Sequence, residues 1–154
     1  MLASRGLVLA ALALSPPTGW SDPTAEGDEL VLAERAIEFT RHFPGARLAL
    51  GGGRSFGGRP LDRAAYADRF DQMARMYHRV AERALAHGVA AHVHPTSTPD
   101  SLILVKAEYE RLVAALDPAL VKLGPDTAHI TRGDEPAIDF IGRHLGRIVH
   151  VHLE

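Results

Sequence analysis

Short apolar runs alternate with longer amphipathic stretches from one end of this 154-residue chain to the other, and few folds accept that order. The apolar runs cover 6–14, 46–50, 89–94, 119–123 and 147–153, each short enough for a buried strand. Between the first two, 27–42 places Leu30, Ala33, Ile37 and Thr40 on one helical face. The longest stretch, 61–87, repeats Tyr66, Phe70, Met73, Tyr77, Val80 and Leu85 at three- and four-residue spacing. Arg63, Asp68, Arg69, Arg75, Arg79 and Arg83 occupy much of its remaining surface. Helices over 104–116 and 135–145 complete the series, and Pro136 suits a first helical turn. Pro44-Gly45, Gly88, Pro95 and Asp117-Pro118 supply the stops. Strands joined through helices run parallel, with right-handed crossovers. An open doubly wound sheet and a barrel both satisfy that order.

The composition narrows the function. The formal net charge is -2 and no Lys/Arg run stands out, which argues against a nucleic-acid or anionic-membrane partner. No apolar run approaches the ~18 residues of a bilayer span. There is no cysteine, so disulfides, thiolate nucleophiles and zinc-thiolate sites are excluded, and a cytoplasmic location fits. Arg5 followed by Leu7 to Leu14 is similar to the start of a secretory signal, but Ser15-Pro16-Pro17 interrupts the cleavage pattern. A first strand over 6–14 is therefore the expectation. The following loop, with three prolines between Ser15 and Pro23, is irregular. A second loop is expected from Arg54 to Pro60. No Gly-x-Gly-x-x-Gly follows the first strand. Gly51-Gly52-Gly53 reads as a close backbone turn, with phosphate binding as the weaker alternative.

In parallel α/β folds ligands bind at the C-terminal strand ends, and the polar residues gather there. The third apolar run ends in His92-Val93-His94-Pro95-Thr96, the fourth leads to Asp126-Thr127-Ala128-His129, and the fifth ends in His150-Val151-His152-Leu153-Glu154. Strand side chains alternate between faces, so His92 and His94 share a face, as do His150 and His152. A buried imidazole without a partner costs about 1–3 kcal/mol. A bound cation, or a relay of carboxylate and imidazole groups, would offset that cost. For any one histidine alone, a hydrogen-bonded core or loop role is the ordinary reading. Five of them with Asp126 at neighbouring strand ends favour a metal or polar catalytic site. Asp126 also suits a turn or a helix cap. Imidazole and carboxylate ligands suit Mn²⁺, Zn²⁺, Co²⁺ or Fe²⁺, whereas Mg²⁺ prefers oxygen.

Leu123-Gly-Pro-Asp-Thr-Ala-His129 resembles the Asp-Thr-Gly-His segment of the xylose isomerase-like TIM barrels, the sugar phosphate isomerases and epimerases. Arg147-Ile-Val-His-Val-His-Leu153 is similar to that family's Arg-Ile-x-x-Val-His-Leu-Lys-Asp. Gly88-Val-Ala-Ala-His-Val-His-Pro95 resembles the segment where the family has Glu-x-His or His-x-His. The resemblance covers most of the chain. It implies a partial (β/α)₈ barrel of about five parallel strands, because a closed barrel needs about 250 residues. The strands would correspond to the third through seventh, so the first two units and the last strand are not in the sequence.

The resemblance also implies a divalent metal ion (Mn²⁺, Zn²⁺, Co²⁺ or Mg²⁺) held by Asp126 and His152. His94 is then a third ligand or a base, as in the branch resembling inosose dehydratases, and His129 orients a substrate hydroxyl. His92 and His150 stand behind the ligands. Thr96 departs from the pattern, where a further His is common. Glu154 stands at the Lys position. The implied chemistry is proton abstraction beside a carbonyl of a small sugar or cyclitol, or loss of water in the dehydratase branch. The family's last ligand, a Glu, belongs to a strand not present, which makes an inactive remnant the alternative. An abasic-site endonuclease, which uses a related barrel, is disfavoured by the charge and by too few ligand clusters. An incomplete barrel is expected to expose two strand edges and an apolar interior, inviting association into homo-oligomers.

Overall fold

A computed structural model describes residues 2–54 and 62–154 of the chain. Most of the loop expected at 54–60 lies outside the described residues. Four strands form one parallel sheet in the sequential order β1 (Ala11–Leu14), β2 (Arg47–Leu50), β3 (Ala90–Val93) and β4 (Lys122–Leu123). The register pairs Ala13 with Ala49, Ala49 with His92, and His92 with Lys122. The intervening helices are α1 (Glu26–Thr40), α2 (Arg63–Ala86) and α3 (Lys106–Ala115), followed by α4 (Thr127–Arg132) and α5 (Ala137–His144).

Pleating sends alternate residues to opposite faces, and the two faces differ sharply. Leu14, Leu48, Leu50, Ala91, Val93 and Leu123 point to the helices and join one core with Ile37, Phe70, Met73, Tyr77, Tyr109 and Leu112. Each of the larger aliphatic or aromatic side chains contributes about 1.5–3 kcal/mol by leaving water. The other face carries Ala11, Ala13, Arg47, Ala49, Ala90, His92 and Lys122, and Ala13 and Ala90 remain exposed. Helices therefore cover only one side of a sheet whose strand order never reverses. That is the arrangement of a barrel segment, and a doubly wound sheet is ruled out. The expectation of an apolar interior holds only in part: the face that turns inward is made of four alanines, Arg47, Lys122 and the neutral ring of His92, with the large apolar residues of the strands on the helix side.

Several boundaries also depart from expectation. Of the run 119–123 only Lys122–Leu123 forms a strand, because Leu120 and Val121 donate back to the Asp117 carbonyl in a turn. Only Ala11–Leu14 of the run 6–14 pairs as a strand. Ala3–Arg5 is a 3₁₀ turn and Gly6 has a left-handed φ of 66°, because β2 begins at Arg47 and offers no partner further back. The segment 147–153 does not form a ladder. It follows a 3₁₀ turn at Leu145–Arg147 and touches the sheet through isolated parallel bridges, Leu123 to Ile148 and Asp126 to His152. Pro125 has no N–H to give, and Asp126 already turns the chain into α4, so the pairing cannot propagate. The helix α4 was not expected. Asp126 sets it up with extended backbone (φ -103°) and a side chain that accepts from the His129 amide.

Candidate metal centre

The triple-glycine turn forms the floor of the loops beside the site. Gly52 and Gly53 have left-handed φ of 108° and 79°, and a Cβ on Gly52 would lie 3.2 Å from Gly19 Cα and from the Trp20 ring. The fully buried Trp20 donates from Nε1 to the Gly51 carbonyl at 2.7 Å. Close approach of two loops is the reason for these glycines, as the sequence suggested.

His94 follows β3 directly, and its amide donates to the Leu50 carbonyl at 2.8 Å. Its ring Nδ1 stands 3.1 Å from the Gly124 carbonyl, which can only accept. Nδ1 therefore carries the proton and Nε2 is left with its lone pair free. Asp126 is 1% exposed, and its two oxygens have separate tasks. One accepts from the His129 amide at 3.0 Å and caps α4. The other lies 3.1 Å from His152 Nδ1. His152 is held by backbone bonds on both sides, donating to the Pro125 carbonyl at 2.9 Å and accepting from the Thr127 amide at 3.0 Å. Its side chain stays half exposed.

The result is that His94, Asp126 and His152 each offer a ligand atom within 4.8 Å of the others. Two imidazoles and one anionic carboxylate, one imidazole already oriented by a carbonyl behind it, suit a divalent transition ion. The residues present fit such a group, and open solvent on the His152 side leaves room for further ligands.

A second pair of imidazoles lies one layer down the strands. His92 stacks on His150 with ring centroids 5.3 Å apart at 25°, beneath the His94–His152 pair at 5.3 Å and 47°. His92 is fully buried, and neither ring nitrogen has a hydrogen-bond partner among the described residues. Burial above all, helped by His150, His94 and Arg47, pushes its pKa down to about 3, so the ring is neutral. His150 is also pushed down, chiefly by burial. The space for His92 exists because residue 124 is glycine: a Cβ there would run into the imidazole.

His129 lies outside the three-residue cluster, on α4, with its ring Nδ1 at 3.1 Å from the Ser97 amide. Burial lowers its pKa, against an opposing pull from Asp126. Thr96, in the position where a further His is common, has its hydroxyl 3.4 Å from the Gly52 carbonyl. Glu154 is exposed, and its carbonyl meets the Thr127 hydroxyl at 3.4 Å. Ser97, which is fully buried, and Trp20 carried no motif in the sequence. The helix under His129 could have been read from Asp126 as a cap. A recess of about 620 Å³ between the connection after β1 and α2 is lined by Ser21, Asp22, Arg69, Gln72 and Arg75 and contains none of these histidines.

Fold and cluster together define a segment of a TIM barrel with a His/Asp/His donor set at the C-terminal strand ends. The family model described as xylose isomerase-like TIM barrel matches residues 1–154, and the chain belongs to that family. An inosose dehydratase of Lactiplantibacillus plantarum is 33% identical over 95 residues, 60% of this chain and 31% of that protein. The crystal structure of the 3-keto-D-glucoside 4-epimerase YcjR from E. coli superposes with a TM-score of 0.79 at 14% identity, covering 99% of this chain and 60% of the epimerase. The IOLI protein with a bound zinc atom gives a TM-score of 0.77 at 14% identity, over 99% of this chain and 54% of its own. At such identities the structures speak for the fold. The chain spans between a third and three-fifths of the length of these relatives. No described helix is long and apolar enough to cross a membrane.

Proposed function

We propose that this chain carries the cation-binding half of an enzyme that removes a proton beside a carbonyl of a small sugar or cyclitol. The observation that carries the reading is the convergence of His94, Asp126 and His152 within 4.8 Å at neighbouring strand ends. His94 Nε2, an Asp126 oxygen and a His152 nitrogen hold the cation. A divalent ion there supplies electrostatic stabilisation of the charge that develops on the substrate oxygens as the proton leaves.

The protein's own contributions follow from the geometry. Gly124 fixes the His94 tautomer, and α4 fixes Asp126, because the cap and the ligand are two oxygens of one carboxylate. With its lone pair given to the cation, His94 has none left for a proton. The base is then assigned to a carboxylate on a further strand of the barrel, as the family resemblance implies. The zinc-bearing structural relative supports the choice of a divalent ion. The 33% identity over 95 residues to an inosose dehydratase supports loss of water as the second reading.

The test is metal analysis of the purified chain, and one equivalent of divalent ion would support the reading. Assays for ketose epimerisation and for inosose dehydration, with cation added, then separate the two readings. A chain that takes up no divalent ion would overturn it.

A further inference from the structure

His129 and His94 are held in opposite tautomers, and the difference assigns them different work. Three groups surround His129 Nδ1: the Ser97 amide at 3.1 Å, the Ser97 hydroxyl at 3.3 Å and an Arg132 guanidinium nitrogen at 3.3 Å. An amide and a guanidinium can only donate. The hydroxyl has its proton committed to the His129 carbonyl at 2.7 Å. Nδ1 must therefore present a lone pair, and a neutral ring then carries its proton on Nε2. No described residue accepts from that Nε2–H. Ser97 is fully buried, so its amide and hydroxyl are fixed before anything binds. Arg132 is tied to the same residue through the Ser97 carbonyl at 3.3 Å.

We propose that Ser97 is a positioning residue that locks His129 as an Nε2–H donor, so that the site offers this imidazole proton to a carbonyl or hydroxyl oxygen of the substrate. In that form His129 takes no proton from carbon. The substrate class rests on the function proposed above, but the lock does not, since it is built from protein groups alone. A polyhydroxy compound bound near the cluster would meet a hydrogen-bond donor at His129, whereas the His94 Nε2 lone pair is committed to the cation. Only an accepting oxygen of the compound can face His129.

The experiment is a long-range proton–nitrogen correlation spectrum of the full, uniformly ¹⁵N-labelled chain with chelator present, at about pH 8, where ordinary imidazoles are neutral. The signals lost in His129→Gln identify the ring. The expected result is an Nε2–H pattern for His129 and an Nδ1–H pattern for His94. Ser97→Pro, which removes both the amide donor and the hydroxyl, is expected to turn the single Nε2–H pattern of His129 into an averaged mixture of the two tautomers. An Nδ1–H ring or an averaged mixture at His129 in the unaltered chain would overturn the proposal. So would a Ser97→Pro protein, folded by its amide spectrum, with an unchanged Nε2–H ring. If that variant does not fold, the unaltered chain decides alone. Zinc binding is measured separately, so a failed cation site with an intact Nε2–H pattern would sink the proposed function and leave the lock standing.

Discussion

Lowering the pH from about 7.5 to about 5 is expected to cost this chain about 2 kcal/mol of stability through His92. The ring is fully buried and both nitrogens lack partners, so protonation would place an uncompensated charge inside the fold. Burial, then His150, His94 and Arg47, hold its pKa at about 3. In the unfolded chain the same imidazole titrates near about 6.5. Between those values the unfolded state binds a proton that the folded state does not, so stability is present in full above about 6.5 and falls as the pH drops toward about 3. The slope for one group is about 1.36 kcal/mol per pH unit, which gives about 2 kcal/mol over the one and a half units to about pH 5. His150 and His129, also held low by burial, act in the same direction.

His92→Phe keeps a flat ring on His150 and removes the titrating group. Urea unfolding with chelator present, at both pH values, gives the comparison as the difference in extrapolated stability. The wild-type chain should lose about 2 kcal/mol more than the variant. Equal losses in the two proteins would show that His92 is either not buried or not neutral, and the layered imidazole arrangement would be wrong.

Asp126→Ala should destabilise the chain by about 1 kcal/mol, through loss of the α4 cap, whereas Asp126→Asn keeps an accepting oxygen and should stay near wild type. Both should lose divalent-ion affinity, so calorimetric zinc titration beside urea unfolding separates the two tasks of one side chain. Gly124→Ala should cost about 1–3 kcal/mol by driving a methyl group into the His92 ring. Combining it with His92→Ala should recover part of that loss, and simple addition of the two penalties would count against the contact.

The alternation of apolar runs and amphipathic stretches was enough to read four strands, the three helices between them and α5, because each period matches the element it forms. It could not separate a barrel from an open sheet. That choice lay in which face of the sheet was left bare, visible only once Ala13, Arg47 and Ala90 fell on the side without helices. The strand read at 147–153 failed because local β pattern does not report that Pro125 withholds a donor from its neighbour. Asp126, His94 and His152 were legible as a group because strand-end positions and residue types coincide. Ser97 was not, since its effect depends on a backbone amide, and a backbone amide has no signature in the sequence.

The central claim is that side chains following β3 and β4 and one from the bridged segment 147–153 close on one cation. X-ray absorption at the zinc edge of the chain loaded with one equivalent reads the coordination shell directly. The account predicts two imidazole nitrogens with oxygen completing the shell, and one imidazole fewer in His152→Ala. A shell of oxygen alone, or one unchanged by His152→Ala, would contradict it.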